Sequence, residues 1–498
     1  MPAPYNVVLL QFDDAGIEVF DSYDVQNKQL GINTNPLKPW SYPDFTNINA
    51  ELARGVMFSD AYCAPVCSPT RVQLETGRYP FRNGFGWIIR NSERNLSGFR
   101  EVGDHTSRTD EPFLAEACRR AGIKTIKLGK GHLHEYLSNE GRGGEGMKAL
   151  GWDIFRGTIQ NINQDPDIEG LRDGFARGYW NYRWYRSDDQ GGSIEQIAGE
   201  YVGRRQYAEA HDLLLGRELE DPFLLLLTCQ APHKPLGSPF DPIDSGCFPS
   251  LRNKDTNKVT HSGFRTYPMA KATNPWVSYR ASLEAADVEF GNFIQNLKRT
   301  GTYDNTVFIM MGDNGATSEI LRDARDFGED LQDPIDTLAT TGRMKGSIFR
   351  QGTRFPLIIS GPPDLLGGTL GRTCGSRVHI VDVYSLVLSL LGAETQASEM
   401  LGARTTDGVN LTPLLQDEAN EAAWARDHIY VESFRPNGDP RRLRLGEIDP
   451  SGRAHRWDRS YQKEINGTWY SYLSFLSGDE LVFDLDADPG ELNPLSPT

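Results

Sequence analysis

The 498-residue sequence predicts an α/β fold: one large, mostly parallel sheet flanked by helices, with a smaller C-terminal α+β subdomain built on an antiparallel sheet. Three observations predict it. Short apolar runs bounded by Gly, Pro or polar residues alternate with stretches of helical spacing, the pattern of strand–helix units. Each run is too short for a helix. After about Asp417 the pattern changes to half-exposed alternation broken by turn residues.

The predicted strands are Asn6–Phe12, 123–128, Phe223–Thr228, 306–311 and 355–360. A helix is expected between Glu111-Pro112 and Gly122, with proline at its start and glycine past its end. A second is expected over Pro275–Thr300, where Leu283, Ala286, Phe290, Phe293, Ile294 and Leu297 recur at helical spacing. Two polar stretches, 135–205 and 236–274, read as loops or insertions. Later, Ile429-Tyr-Val-Glu, 462–469 and 480–485 read as strands, with Ile465-Asn-Gly-Thr as a hairpin signal. The expected division is a catalytic domain over 1–416 and a small antiparallel sheet with one helix over 417–498.

Composition narrows the function. With 52 basic and 68 acidic residues the formal charge is −16, which disfavours broad nucleic-acid binding. No apolar run approaches a membrane span, and the start lacks the features of a secretory leader. Six scattered cysteines (Cys63, Cys67, Cys118, Cys229, Cys247 and Cys374) suggest free thiols in a reducing, cytoplasmic setting.

The residues just past the strands are more telling. Asp13-Asp14 come after Phe12, Gly-Lys130-Gly-His132 after Leu128, Ala-Pro-His233 after Gln230, and Gly-Asp313-Asn314-Gly after Met311. Ligands of open α/β sheets sit beyond the strands' carboxyl ends, so these residues are expected at one edge. Cys67-Ser-Pro-Thr-Arg71 places a cysteine at the positive end of a helix, with Arg71 one turn on. Each feature also has a bland reading: an inert buried cysteine, a turn at Asp-Asn-Gly, a structural His233, a solvated Lys345. His134 and His379 read as structural or surface residues.

Cys67-x-Pro-x-Arg71 continuing to Thr76-Gly-Arg78 resembles the signature of the formylglycine-dependent sulfatases of the alkaline phosphatase superfamily, including bacterial arylsulfatases. In that family this cysteine is oxidised to Cα-formylglycine. Cys63 has Pro65 at the required spacing but Cys67 where the motif needs Arg, and is not a candidate. The resemblance runs over nearly the whole chain: Gly122 through His132 resembles the second signature, and Lys345-Gly-Ser-Ile-Phe-Arg the last catalytic lysine. The Asp382, Asp407-Gly-Val-Asn and Phe483-Asp-Leu-Asp segments resemble structural parts of the family. Two positions depart from it. Glu75 stands where an apolar residue is usual, and Gly131 where an aromatic residue often sits, which is expected to open space beside the site.

The resemblance implies metal ligation by Asp13, Asp14, Asp313, Asn314 and the modified residue 67, with calcium as the ion and magnesium or manganese as alternatives. It implies that one hydroxyl of the aldehyde hydrate attacks sulfur in line, and that the other loses its proton so the aldehyde reforms and sulfate leaves. His132 is the expected base for that collapse. Arg71 and Lys130 would hold the diol, while His233 and Lys345 would grip the sulfate oxygens. The implied partners are a small sulfated substrate and a formylglycine-generating enzyme in a bacterial cytoplasm, with no nucleic acid or membrane; a homo-oligomer remains open. Two other readings compete: a phosphonate monoester hydrolase or phosphodiesterase of the same superfamily, and an inactive protein that holds a sulfated glycan. The aromatic stretch 175–186, with Trp180, Tyr182, Trp184 and Tyr185, suits a ring-stacking wall but suits ordinary packing better.

Overall fold

Asn6–Phe12, wholly apolar but for Asn6 and Gln11, forms a central strand, β1, buried on both faces. The computed structural model describes residues 5–30, 42–89, 111–133, 145–162, 178–179, 181–189, 191–198, 200–216, 222–233, 275–318, 342–368, 370–424, 426–438, 441, 443–448 and 453–495. His134, Trp180, Cys247 and the stretch 236–274 lie outside them.

The remaining strands are β2 (Gly55–Phe58), β3 (Ala61–Tyr62), β4 (Lys124–Lys130), β5 (Ile154–Thr158), β6 (Asn181–Asp188), β7 (Gly191–Ala198), β8 (Phe223–Thr228), β9 (Thr306–Gly312), β10 (Leu357–Ser360), β11 (Arg372–Cys374), β12 (Val378–His379), β13 (His428–Arg435), β14 (Arg456–Ile465), β15 (Thr468–Ser474) and β16 (Glu480–Asp484). Ten of them make one sheet in the order β11-β2-β10-β9-β1-β8-β4-β5-β6-β7. The centre, β9-β1-β8-β4-β5, is parallel throughout. The helices used below are α1 (Cys67–Thr76), α2 (Leu114–Arg120), α3 (Val202–Leu215), α4 (Pro275–Thr300) and α5 (Ile380–Leu391).

Because side chains alternate along a strand, β1 feeds two cores. Val7 and Leu9 pack with α5 residues such as Val383, Leu386 and Leu390. Val8, Leu10 and Phe12 pack with Tyr279, Leu283, Phe290 and Leu297 of α4. The large sheet therefore has apolar cover on both sides, as the predicted fold class requires.

Several expectations are refined. The strand predicted at 355–360 is β10, which pairs antiparallel with both β9 and β2. The chain has already reached the carboxyl edge of β9, where Gly312 N donates to Pro356 O at 3.2 Å, so it can only re-enter the sheet in the opposite sense. Within 135–205, read as a loop or insertion, the described residues hold a short helix at Glu145–Ala149, β5, β6, β7 and the start of α3. Aromatic residues of this stretch supply strand interiors, with Tyr182 and Trp184 buried beside Ile162, Ile197 and Val202. Packing, the preferred reading of that stretch, describes these two rings. Helix α2 begins at Leu114, two residues after Pro112, and Gly122 (φ +82°) follows it.

At the C-terminal end β13, β14, β15 and β16 form a separate antiparallel sheet. The segment 462–469 crosses a hairpin instead of forming one strand. Asn466 and Gly467 both have positive φ (55° and 86°), as the Asn-Gly signal requires. Where a helix was expected, a 3-10 turn stands at Glu418–Ala423, capped by Asp417, whose carboxylate accepts from Ala419 N. Glu491 ties the chain's last described stretch to the short helix Arg350–Thr353 ahead of β10: its carboxylate accepts from Arg350 N at 2.6 Å, and Pro489 O accepts from the Arg350 guanidinium at 3.0 Å. His379 is structural, capping α5 through Val381 N while Asp382 accepts from His379 N.

Candidate active site

Each central strand ends in a polar residue at the same edge. β1 delivers Asp13 and Asp14, β4 delivers Lys130 and His132, β8 leads to His233, and β9 leads to Asp313 and Asn314. Helix α1 starts at Cys67 and carries Arg71 one turn later, with Val66 extended ahead of it and Gly77 closing it in the left-handed conformation. Lys345 arrives from the segment before β10, where Lys345 N donates to Ala316 O and Gly346 N to Pro65 O.

The side chains converge. Ligand atoms of Asp13, Cys67 and Asp313 lie within 4.8 Å of one another, as do those of Asp13, Asp14 and His233. Arg71 pairs with Asp313 at 2.7 Å and lies 3.8 Å from Asp13; Lys130 meets Asp13 at 2.5 Å. Lys345 is hydrogen-bonded to Asp14, and His233 Nε2 is 3.8 Å from the other Asp14 oxygen. Asp14 N donates to Asp313 Oδ1 at 2.9 Å, and Asn314 Nδ2 donates to Asp14 Oδ1 at 3.0 Å. All ten positions expected from the sequence are thus at one edge, and only His233 and Lys345 retain some solvent exposure.

The residues fit a divalent cation. Among the described residues, Asp13 Oδ1 and Asn314 Oδ1 are buried without a hydrogen-bond partner, two hard oxygens left unsatisfied beside two further carboxylates. Burial and the charge of Asp13 push Asp313 up to about 6, a conflict that a cation between them would relieve. Burial also raises Asp14, but Lys345 and His233 outweigh it and hold that carboxylate low. Asp14 and His132 both adopt positive φ (69° and 52°), the kind of local strain that clusters at functional sites.

The other groups have complementary states. Burial pushes the Cys67 thiol up despite Lys130 and Lys345, so an unmodified thiol there is a poor nucleophile near neutrality. Burial, reinforced by Lys130 and Arg71, holds His132 well below its ordinary value, leaving a neutral imidazole. Both of its ring nitrogens, and Arg71 Nε and Nη1, lack partners among the described residues. A divalent cation added to three carboxylates and three permanent cations leaves a surplus of two positive charges, suited to a tetrahedral anion.

Gly131 does not open space as expected. A Cβ there would fall 2.5 Å from Met147 Cε and 3.1 Å from Ile159 O, so that volume is already filled. Two tyrosines that sequence reasoning did not assign support the site. Tyr279 OH donates to Asp14 O at 2.6 Å, and Tyr179 OH donates to His233 O at 2.8 Å. Tyr179 lay within the aromatic stretch already singled out; nothing local marked Tyr279.

A parallel sheet with hard-ligand carboxylates, a helix-borne cysteine and converging cations at its carboxyl edge defines a metal-assisted hydrolase of anionic esters. A family model described as Sulfatase matches residues 5–393. The chain belongs to the sulfatase family, whose members are sulfuric ester hydrolases. It is 26% identical to N-acetylgalactosamine-6-sulfatase of Mus musculus over 99% of this chain and 82% of that protein. It is 22% identical to an arylsulfatase of Clostridium perfringens over 98% and 90%. Among solved structures, a sulfatase of Pseudoalteromonas sp. superposes with a TM-score of 0.60 at 17% identity, covering 99% of this chain and 86% of that one. No described helix is long and apolar enough to cross a membrane.

Proposed function

We propose that this enzyme hydrolyses sulfate monoesters of small carbohydrate or aryl alcohols, using a formylglycine made from Cys67 and a calcium ion held by Asp13, Asp14, Asp313 and Asn314. The observation that carries the reading is the position of Cys67, at a helix N-terminus within 4.8 Å of the Asp13 and Asp313 oxygens. Carbohydrate esters are favoured by the relative named for a 6-sulfated amino sugar. The maturation enzyme that oxidises Cys67 is the implied transient partner, and the buried free thiols Cys63, Cys118, Cys229 and Cys374 suit a reducing cytoplasm.

When present, the cation and the hydrated aldehyde supply a nucleophilic oxygen near neutral pH. Arg71 and Lys130 neutralise charge around residue 67, and both are anchored by Asp13 or Asp313. Lys345 and His233, on the more open side, bind the sulfate oxygens and the leaving oxygen as charge develops there. The neutral imidazole of His132 accepts the proton whose loss lets sulfate depart.

The test compares turnover of an aryl sulfate and an aryl phosphonate, with mass spectrometry of the peptide carrying residue 67. An aldehyde at 67 and preferred turnover of the sulfate are expected. A thiol at 67 in fully active enzyme, or a preference for the phosphonate, would sink the assignment.

A further inference from the structure

Behind the site lies a buried ion pair that takes no part in the chemistry above. Glu75 sits one turn beyond Arg71 on α1, and Lys127 three residues before Lys130 on β4. Lys127 Nζ meets Glu75 Oε1 at 2.7 Å, and the two side chains are 0% and 1% exposed. Trp152 Nε1 donates to the other Glu75 oxygen at 3.1 Å. The pair therefore ties the helix that bears Cys67 to the strand that bears Lys130.

Lys127 also reaches forward, its ammonium donating to Gly131 O at 3.4 Å. The far side of the same peptide unit is fixed too, because His132 N donates to Ile159 O at 2.7 Å. With its carbonyl and its N–H both held, this peptide plane sets the approach to His132, whose φ of 52° is unusual for a non-glycine residue. A side chain at Gly131 would meet Met147 Cε, so the space beside this peptide is already occupied.

A buried ion pair is a poor way to gain stability. Desolvating both charges offsets their attraction, and apolar replacements of similar volume are often neutral or stabilising. Fold stability alone therefore does not explain why charges stand here, whereas a directed donor to a single carbonyl does.

We propose that Lys127, oriented by Glu75, is a positioning residue for His132: it fixes the Gly131 carbonyl and so holds the imidazole in its left-handed pose beside Lys130 and Arg71. The proposal rests on the sulfatase reading for its kinetic consequence, but not for its structural one.

The experiment uses Lys127→Met, Glu75→Leu and the double variant, each assayed for unfolding temperature, conversion of Cys67, kcat and KM on an aryl sulfate, and amide exchange in residues 128–133. Each single variant should lose stability because it strands a buried charge. The double variant should recover the wild-type unfolding temperature, yet keep kcat about 10- to 100-fold down with KM within about twofold. Its 128–133 amides should exchange about tenfold faster than wild type. Recovery of kcat and exchange together with stability would make the pair purely structural and overturn the proposal. Should the double variant not fold, Glu75→Gln is read the same way: lowered kcat at constant KM supports the role, and unchanged kcat and exchange overturn it. If the wild-type enzyme releases no sulfate, the sulfatase reading fails while the exchange measurement still decides the tether.

Discussion

Two largely buried clusters of charge among the described residues are built on opposite plans. Around Asp60, one carboxylate faces Arg350, Arg354 and Arg377 at 3.1, 3.4 and 3.0 Å, with Tyr62 OH donating to it at 2.7 Å. Both Asp60 oxygens are hydrogen-bonded, and the guanidiniums outweigh burial to hold its carboxyl well below the usual range. At the strand edge, three carboxylates meet three cations, yet Asp13 Oδ1, Asn314 Oδ1 and both His132 nitrogens are left without partners among the described residues. Charge density is similar in the two places. Unfilled acceptors, not charge, separate a site that receives something from a clamp that is finished.

The comparison predicts different failures. Cys67→Ala should abolish sulfate release while leaving the unfolding temperature near wild type; ion chromatography of released sulfate and a thermal melt check both halves. Asp60→Ala should do the reverse. It strands three guanidiniums and should cost roughly 3–5 kcal/mol in a denaturant titration, with kcat per folded molecule largely kept. A loss of kcat without loss of stability would erase the distinction.

Lys345→Ala removes a cation from the more open side of the site. Its kcat should fall about 10²- to 10³-fold, with a smaller change in unfolding temperature than Asp60→Ala. A chelator should lower both activity and unfolding temperature in wild type, and added calcium should restore both; insensitivity of both would remove the cation from the account.

A smaller effect concerns a third kind of buried charge. Burial pushes Glu432 up to about 7, although Phe81 N, Trp457 and Tyr430 donate to it. A raised carboxyl binds its proton more tightly when folded, so its contribution is complete below the ordinary value of 4.5 and is lost as pH rises through 7. Wild type should therefore lose stability relative to Glu432→Gln between about pH 4.5 and 7, by at most about 3 kcal/mol. Parallel melting curves across that window would disprove the assignment.

These clusters also show what a sequence can and cannot reveal. β1, β8 and α4 were legible to the residue because apolar periodicity and Gly or Pro punctuation are local signals. Asp13, Asp14, His132, Asp313 and Asn314 could be placed in advance because they lie just past strands and so fall at a predictable edge, whereas Cys67, Arg71 and Lys345 stood out only through the family resemblance. The Asp60 clamp was not, since its arginines lie some 300 residues away and nothing near Asp60 announces them. Glu75 was visible as a departure, but Lys127, its partner across the helix–strand interface, was not. The strand content of 135–205 was hidden by its Gly and Arg, and the sense of β10 depends on where the preceding segment leaves the chain.

The contact between Glu491 and Arg350 has a consequence for the order of events during synthesis. The stretch that presents Lys345 is held by a carboxylate 141 residues beyond Arg350, so this anchor cannot form until the chain has been made through Glu491. Until then the Lys345 segment, whose Gly346 N donates to Pro65 O just ahead of Cys67, lacks that anchor.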